Sequence, residues 1–165
     1  MVRIRNAGIE DVAAMTRVLA SSWKSEYRGI VHDEYLDLLS DNHWVDFLIA
    51  GIKNNTIHAM VLEKEQEIIG SAILNESEQE NEMNLVSFYL LPETIGRGFG
   101  HAFYTGIEIE LKKKGFVKCV LDVLEHNYRA IRFYEAHGFM DTNKKIQAKL
   151  GEQEYTCNVY EKNLL

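Results

Sequence analysis

The sequence predicts an α/β protein, with a mixed sheet flanked by helices in one domain over residues 1–165. The apolar residues carry that reading, because their period changes from helical to two-residue at Thr56 and becomes helical again after the stretch IGRGFGH, residues 95–101. The composition agrees with it. At 46% hydrophobic with a single proline, the chain can build one core and shows no linker at which to divide it.

Residues 2–5, VRIR, alternate as a half-buried strand does. In the next run Ile9, Val12, Met15, Val18 and Leu19 recur at helical spacing, and Trp23 and Tyr27 extend the same face. Shorter helical runs surround EYLDLLS (34–40) and HWVDFLIAGIK (43–53). TIHAMVLEK (56–64) and IIGSAILN (68–75) read as a hairpin turning around Glu65 and Glu67, and ESEQENE (76–82) as a solvated loop. MNLVSFYLL (83–91) is an apolar strand stopped by Pro92.

After the glycine stretch, HAFYTGIEIELKKKG (101–115) predicts a helix, since its basic last turn and Gly115 suit a C-terminus. FVKCVLDVL (116–124) is a further strand. EHNYRAIRFYEAHGF (125–139) is a helix with Asn127 as N-cap and Gly138 as terminator. Two strands, 139–150 and 152–164, close the chain around Gly151.

The net charge of −7 argues against a nucleic-acid partner, which would demand an excess of Lys and Arg. No apolar run approaches the roughly 18 residues of a membrane span, so a soluble, cytoplasmic protein is expected, with no membrane partner. Cys119 and Cys157 form no CxxC pair and read as reduced core residues, and the histidines form no HExxH pattern, so no metal is expected.

Glycines between a strand and a helix suit a phosphate, because they leave backbone N–H groups open at the positive end of the helix dipole. The stretch is not a nucleotide P-loop, since Gly100 is followed by His101 and Ala102 where Lys and Ser or Thr would be needed. Nor does it suit a dinucleotide fingerprint, because it follows the fourth strand and not the first.

Together FYLLPETIGRGFGHAFY and LDVLEHNYRAIRFYEAHGF resemble the GCN5-related N-acetyltransferase (GNAT) family. The second carries that family's N-x-x-A-x-x-x-Y-x-x-x-G-F pattern as Asn127, Ala130, Tyr134, Gly138 and Phe139. The resemblance is strongest over residues 84–140, and the order of elements extends it along the chain. It implies a mostly antiparallel sheet with a splayed central strand pair, and transfer of an acetyl group from acetyl-CoA to a primary amine by direct attack in a ternary complex. The acceptor implied is a small molecule, polyamine-like among others. A protein N-terminus or lysine, or a noncatalytic acyl-CoA sensor, stays open beside it.

Carried over by residue, the resemblance implies that Leu90 and Leu91 hold the pantetheine arm, with the Leu90 N–H as oxyanion donor. Gly96, Arg97, Gly98, Phe99, Gly100 and His101 would surround the pyrophosphate, Asn127 would contact the cofactor arm, and Tyr134 would be the general acid. Ile95 stands where the family commonly has Gln or Arg. Asn84 stands where many members carry a glutamate base, so Glu82, two residues away on the same strand face, is the candidate substitute, with an exposed charge at the end of the acidic loop as the alternative. Trp23 and Tyr27 would wall the acceptor site, with core packing as the alternative for both. Glu26, Asp33 and Glu34 could attract a cationic amine or be plain helix charges. The family also allows a homodimer.

Overall fold

The computed structural model describes residues 1–165. Its centre is one seven-stranded sheet in the order β1-β2-β3-β4-β5-β7-β6. The strands are β1 (Val2–Asn6), β2 (His58–Lys64), β3 (Glu67–Glu76), β4 (Glu82–Leu90), β5 (Lys118–Leu124), β6 (Met140–Leu150) and β7 (Gln153–Asn163). All neighbours run antiparallel except β4 and β5. The helices are α1 (Val12–Glu26), α2 (Asp33–Asp37), α3 (Val45–Lys53), α4 (Phe99–Lys113) and α5 (Tyr128–Ala136).

The hairpin of β2 and β3 turns on Glu65 and Gln66, both at positive φ, as a two-residue turn that follows the twist of its strands requires. β3 is buried along most of its length, since it lies inside the sheet with both faces covered. Helix α1 exposes Ile9, just before it, but buries Val12, Met15, Val18 and Leu19 against the sheet. The helix enters through Asp11, whose carboxylate accepts from the Gly8 N–H at 2.8 Å and from both terminal nitrogens of Arg5, at 2.7 and 2.8 Å. Helix α4 comes so close to β1 that a Cβ on Gly106 would meet Ile4 Cδ1 at 2.3 Å. Cys119 and Cys157 are free and buried.

Two of the boundaries that differ from the sequence expectation bear on the site. Strand β4 begins at Glu82, which is therefore a strand residue and not the end of the acidic loop. Helix α4 begins at Phe99, two residues early, because Gly98 takes the left-handed conformation at φ +85° and turns the chain straight into the helix.

The feature that positions the site is the parting of β4 from β5. The two strands pair only at Glu82 with Lys118, Met83 with Cys119 and Asn84 with Val120. Just beyond, the β3–β4 register jumps from Leu74 opposite Leu85 to Ile73 opposite Ser87, leaving Val86 as a bulge. From there β4 follows β3 away from β5, and a V-shaped opening separates the two halves of the sheet.

Candidate active site

Two cavities occupy that opening. The first, of about 240 Å³, is lined by the last turns of α1, the parted segments of β4 and β5, and the β6–β7 hairpin. The second, of about 410 Å³, lies between the end of β4, the glycine loop and α5. Glu26, Phe88, Tyr89, Ala130 and Tyr134 line both. A molecule in one cavity can thus meet a molecule in the other beside the Tyr134 ring.

The backbone of β4 offers few free groups there. The Leu91 N–H donates to Ile69 C=O at 2.8 Å, so that N–H and the backbone groups of residues 89 and 87 are directed to β3, and residues 90 and 88 turn theirs toward the opening. The Leu90 C=O accepts from the Ser22 hydroxyl of α1, which leaves the Leu90 N–H facing the cavity. Leu91 does not share this position. Its C=O accepts from the Thr94 N–H and hydroxyl, and its side chain lies in the core. Of the two leucines expected to hold a cofactor arm, only Leu90 is free to do so.

Gly96 and Gly98 both take positive φ, near +84° and +85°, and nothing lies within 4 Å of where their Cβ atoms would be. Conformation, not crowding, requires glycine at these positions. Gly100 is needed for space, because a Cβ would press on Phe133 Cε2 at 3.2 Å. The loop leaves the N-terminal N–H groups of α4 open beside the second cavity. His101 lines that cavity, Arg97 points to solvent, and Phe99 packs toward the core.

The sequence reading missed the partner of His101. His137, one turn past Phe133, donates from Nδ1 to the Phe133 C=O at 2.7 Å, and its Nε2 shares a hydrogen bond with His101 Nδ1 at 2.9 Å. This contact ties the end of α5 to the start of α4 across the mouth of the second cavity.

Asn127 is buried and caps α5, its Oδ1 accepting from the Ala130 N–H at 3.3 Å, and it lines the first cavity. The capping reading therefore holds beside any ligand role. Trp23 and Tyr27 are both wall and core. They line the first cavity while stacking edge to face at 4.8 Å, and the Tyr27 hydroxyl shares a 2.6 Å hydrogen bond with that of Tyr89. Burial pushes the Tyr134 phenol well above its ordinary range, with the charges of Tyr89 and Glu26 acting in the same direction. Tyr134 therefore holds its proton at neutral pH and can only donate it.

Glu82 lies apart from this group. It sits in the closed end of the sheet and accepts from the Ser77 hydroxyl at 2.6 Å. Eight strand residues, roughly 26 Å, separate it from Leu90. The carboxylates that do reach the opening are Glu26 and Asp122. Desolvation raises both from their ordinary values, and the charge of Arg129 partly offsets the shift at Glu26. No Lys, Arg or His lines the first cavity.

A sheet parted beside a glycine-led helix, with Tyr134 between two adjoining cavities, is an arrangement that can hold two small molecules side by side. The acetyltransferase (GNAT) family model matches residues 16–139, and the chain belongs to that family. It is an acetyl-CoA-dependent N-acetyltransferase.

Spermidine N(1)-acetyltransferase of Thermoplasma acidophilum is 28% identical over 143 residues, covering 84% of this chain and 88% of that one. The uncharacterized N-acetyltransferase YuaI of Bacillus subtilis is 28% identical over 144 residues, covering 83% and 79%. Among solved structures, the PaiA N-acetyltransferase of Thermoplasma acidophilum in complex with coenzyme A aligns at a TM-score of 0.80 with 26% identity, covering 99% of each chain. The ribosomal-protein-S18-alanine N-acetyltransferase of Escherichia coli shares the fold at a TM-score of 0.75 and 17% identity. No helix of this chain is long and apolar enough to cross a membrane.

Proposed function

We propose that the chain, acting as one unit over residues 1–165, acetylates a terminal primary amine of a small, polyamine-like cation. The observation that carries this reading is the first cavity, which presents two carboxylates and aromatic walls and is lined by no basic side chain, Arg129 acting on Glu26 only from outside it. The half-buried Glu26 carboxylate is favoured by a nearby cation, and the more exposed Asp122 carboxylate offers a site for a second. An alkyl chain with an ammonium at either end meets both needs, and aromatic faces favour such cations further. The relative from Thermoplasma named as a spermidine acetyltransferase supports the same class of acceptor.

In this reading acetyl-CoA supplies an activated acetyl group held as a thioester. The open N–H groups of Gly96 to His101 hold its pyrophosphate, with Arg97 as an added positive charge. The Leu90 N–H donates to the acetyl oxygen as negative charge gathers there. Tyr134 gives its proton to the departing sulfur. Ile95 adds no polar contact, so the backbone of the loop does the binding.

An acceptor panel of polyamines, amino acids, aminoglycosides and N-terminal peptides, read by thiol release, tests this. Turnover confined to polyamines is expected. Preference for peptides, or tight acetyl-CoA binding with no thiol release from any amine, would overturn it.

A further inference from the structure

Deprotonation of the acceptor requires a base, and the strand position where the family resemblance leads one to look holds Asn84, an amide that accepts no proton. We propose that Glu26, at the last turn of α1, is the group that takes the proton of the acceptor ammonium. This deepens the small-amine reading above and rests on it.

Three observations point to Glu26. It is the one residue that lines both cavities of the opening and also a third, outward cavity bordered by Ser25, Ile30, His126, Asn127, Tyr128 and Arg129. It therefore touches the acceptor side, the cofactor side and a path to solvent. It is half-buried and makes no hydrogen bond or close ion pair, with only the more distant charge of Arg129 acting on it. A carboxylate held in that state keeps its lone pairs free and is a stronger base than an exposed one. Finally, its charge is felt by the phenols of Tyr27, Tyr89 and Tyr134, which places it among the groups around the reacting atoms.

The other residues facing this space fail as bases. Burial keeps the tyrosines and Cys157 protonated. Arg129 stays protonated and has no lone pair to accept a proton. His126 borders the outer cavity alone, and His101 and His137 border only the cofactor side. Asp122 lines the first cavity without reaching the second, a position that suits an anchor for a second ammonium.

The proton balance closes. The ammonium gives one proton to the Glu26 carboxylate, and the freed lone pair forms the nitrogen–carbon bond to the acetyl group. The carbon–sulfur bond breaks with its electron pair on sulfur, which takes the Tyr134 hydroxyl proton. The surplus proton on nitrogen restores Tyr134, and Glu26 sheds its proton to water through the outer cavity. One proton leaves per turnover.

The test compares wild type, Glu26→Gln, Glu26→Asp and Asp122→Asn with an acceptor that wild type turns over. Glu26→Gln should lower kcat by about a hundredfold and remove the acidic limb of the kcat/KM profile, with acetyl-CoA affinity by calorimetry held. Glu26→Asp should keep the limb at a reduced rate, and Asp122→Asn should raise KM for the amine while keeping the limb. An acidic limb that survives in Glu26→Gln, or a loss confined to acetyl-CoA affinity, would overturn the assignment while leaving the small-amine reading intact. If wild type turns over no small amine, both fall together.

Discussion

At the scale of single residues, the proposed division of proton traffic between Tyr134 and Glu26 rests on burial moving both in the same direction on their respective scales: the phenol keeps a proton and the carboxylate gains affinity for one. Tyr134→Phe should lower kcat by about a hundredfold while acetyl-CoA affinity, measured by calorimetry, changes little. Unchanged turnover would remove the acid role. The place of Tyr134 beside both cavities was legible in the sequence because its spacing from Asn127 belongs to a motif. Glu26 was legible in part: the buried positions of α1 step through 12, 15, 19 and 22, and the next step is 26, so a carboxylate lies on the apolar stripe. That Glu82 lies at the paired end of β4 was not legible, because a two-residue period tells which face of a strand a side chain takes and nothing about where the strand parts from its neighbour.

At the scale of elements, the entrance to α1 and the entrance to α4 are built differently and should fail differently. Asp11 ties β1 to α1 through Arg5, which also meets Glu63 of β2 at 2.6 Å. Asp11→Asn should cost about 2 kcal/mol by losing a charge-assisted pair and weakening the turn. The hydrogen bonds from Arg5 hold the Asp11 carboxyl below its ordinary 3.8. Its contribution is therefore complete above that value and fades as pH falls through the lower folded value. Melting midpoints of wild type and variant should differ at pH 7 and converge in acid; a constant gap would sink this account. Gly98→Asp acts instead on binding, since it sets a negative charge and a strained left-handed backbone beside the cofactor side, and should weaken acetyl-CoA at least about tenfold. Undiminished calorimetric affinity would count against the cradle. Glycine spacing announced this turn, but the two-residue early start of α4 was hidden, since a period of apolar residues does not register which glycine turns left-handed.

At the scale of the whole molecule, the sheet is two half-sheets, β1 to β4 and β5 to β7, joined by three parallel rungs at residues 82–84. The number of strands and their order along the chain were readable from alternation and turns. Where the rungs stop was not, because it depends on the bulge at Val86, and a bulge is one extra residue in a run whose composition is otherwise that of any buried strand. The parting also marks which backbone hydrogens are left without a protein partner. Amides on the open edge of β4, those of Phe88 and Leu90, should trade with deuterium rapidly in the free enzyme while their neighbours Tyr89 and Leu91, bonded to β3, hold back. Bound coenzyme A lying along that edge should slow the fast pair and leave the slow pair unchanged, so alternate residues of one strand would report, by their exchange rates alone, whether the gap in the sheet has been filled.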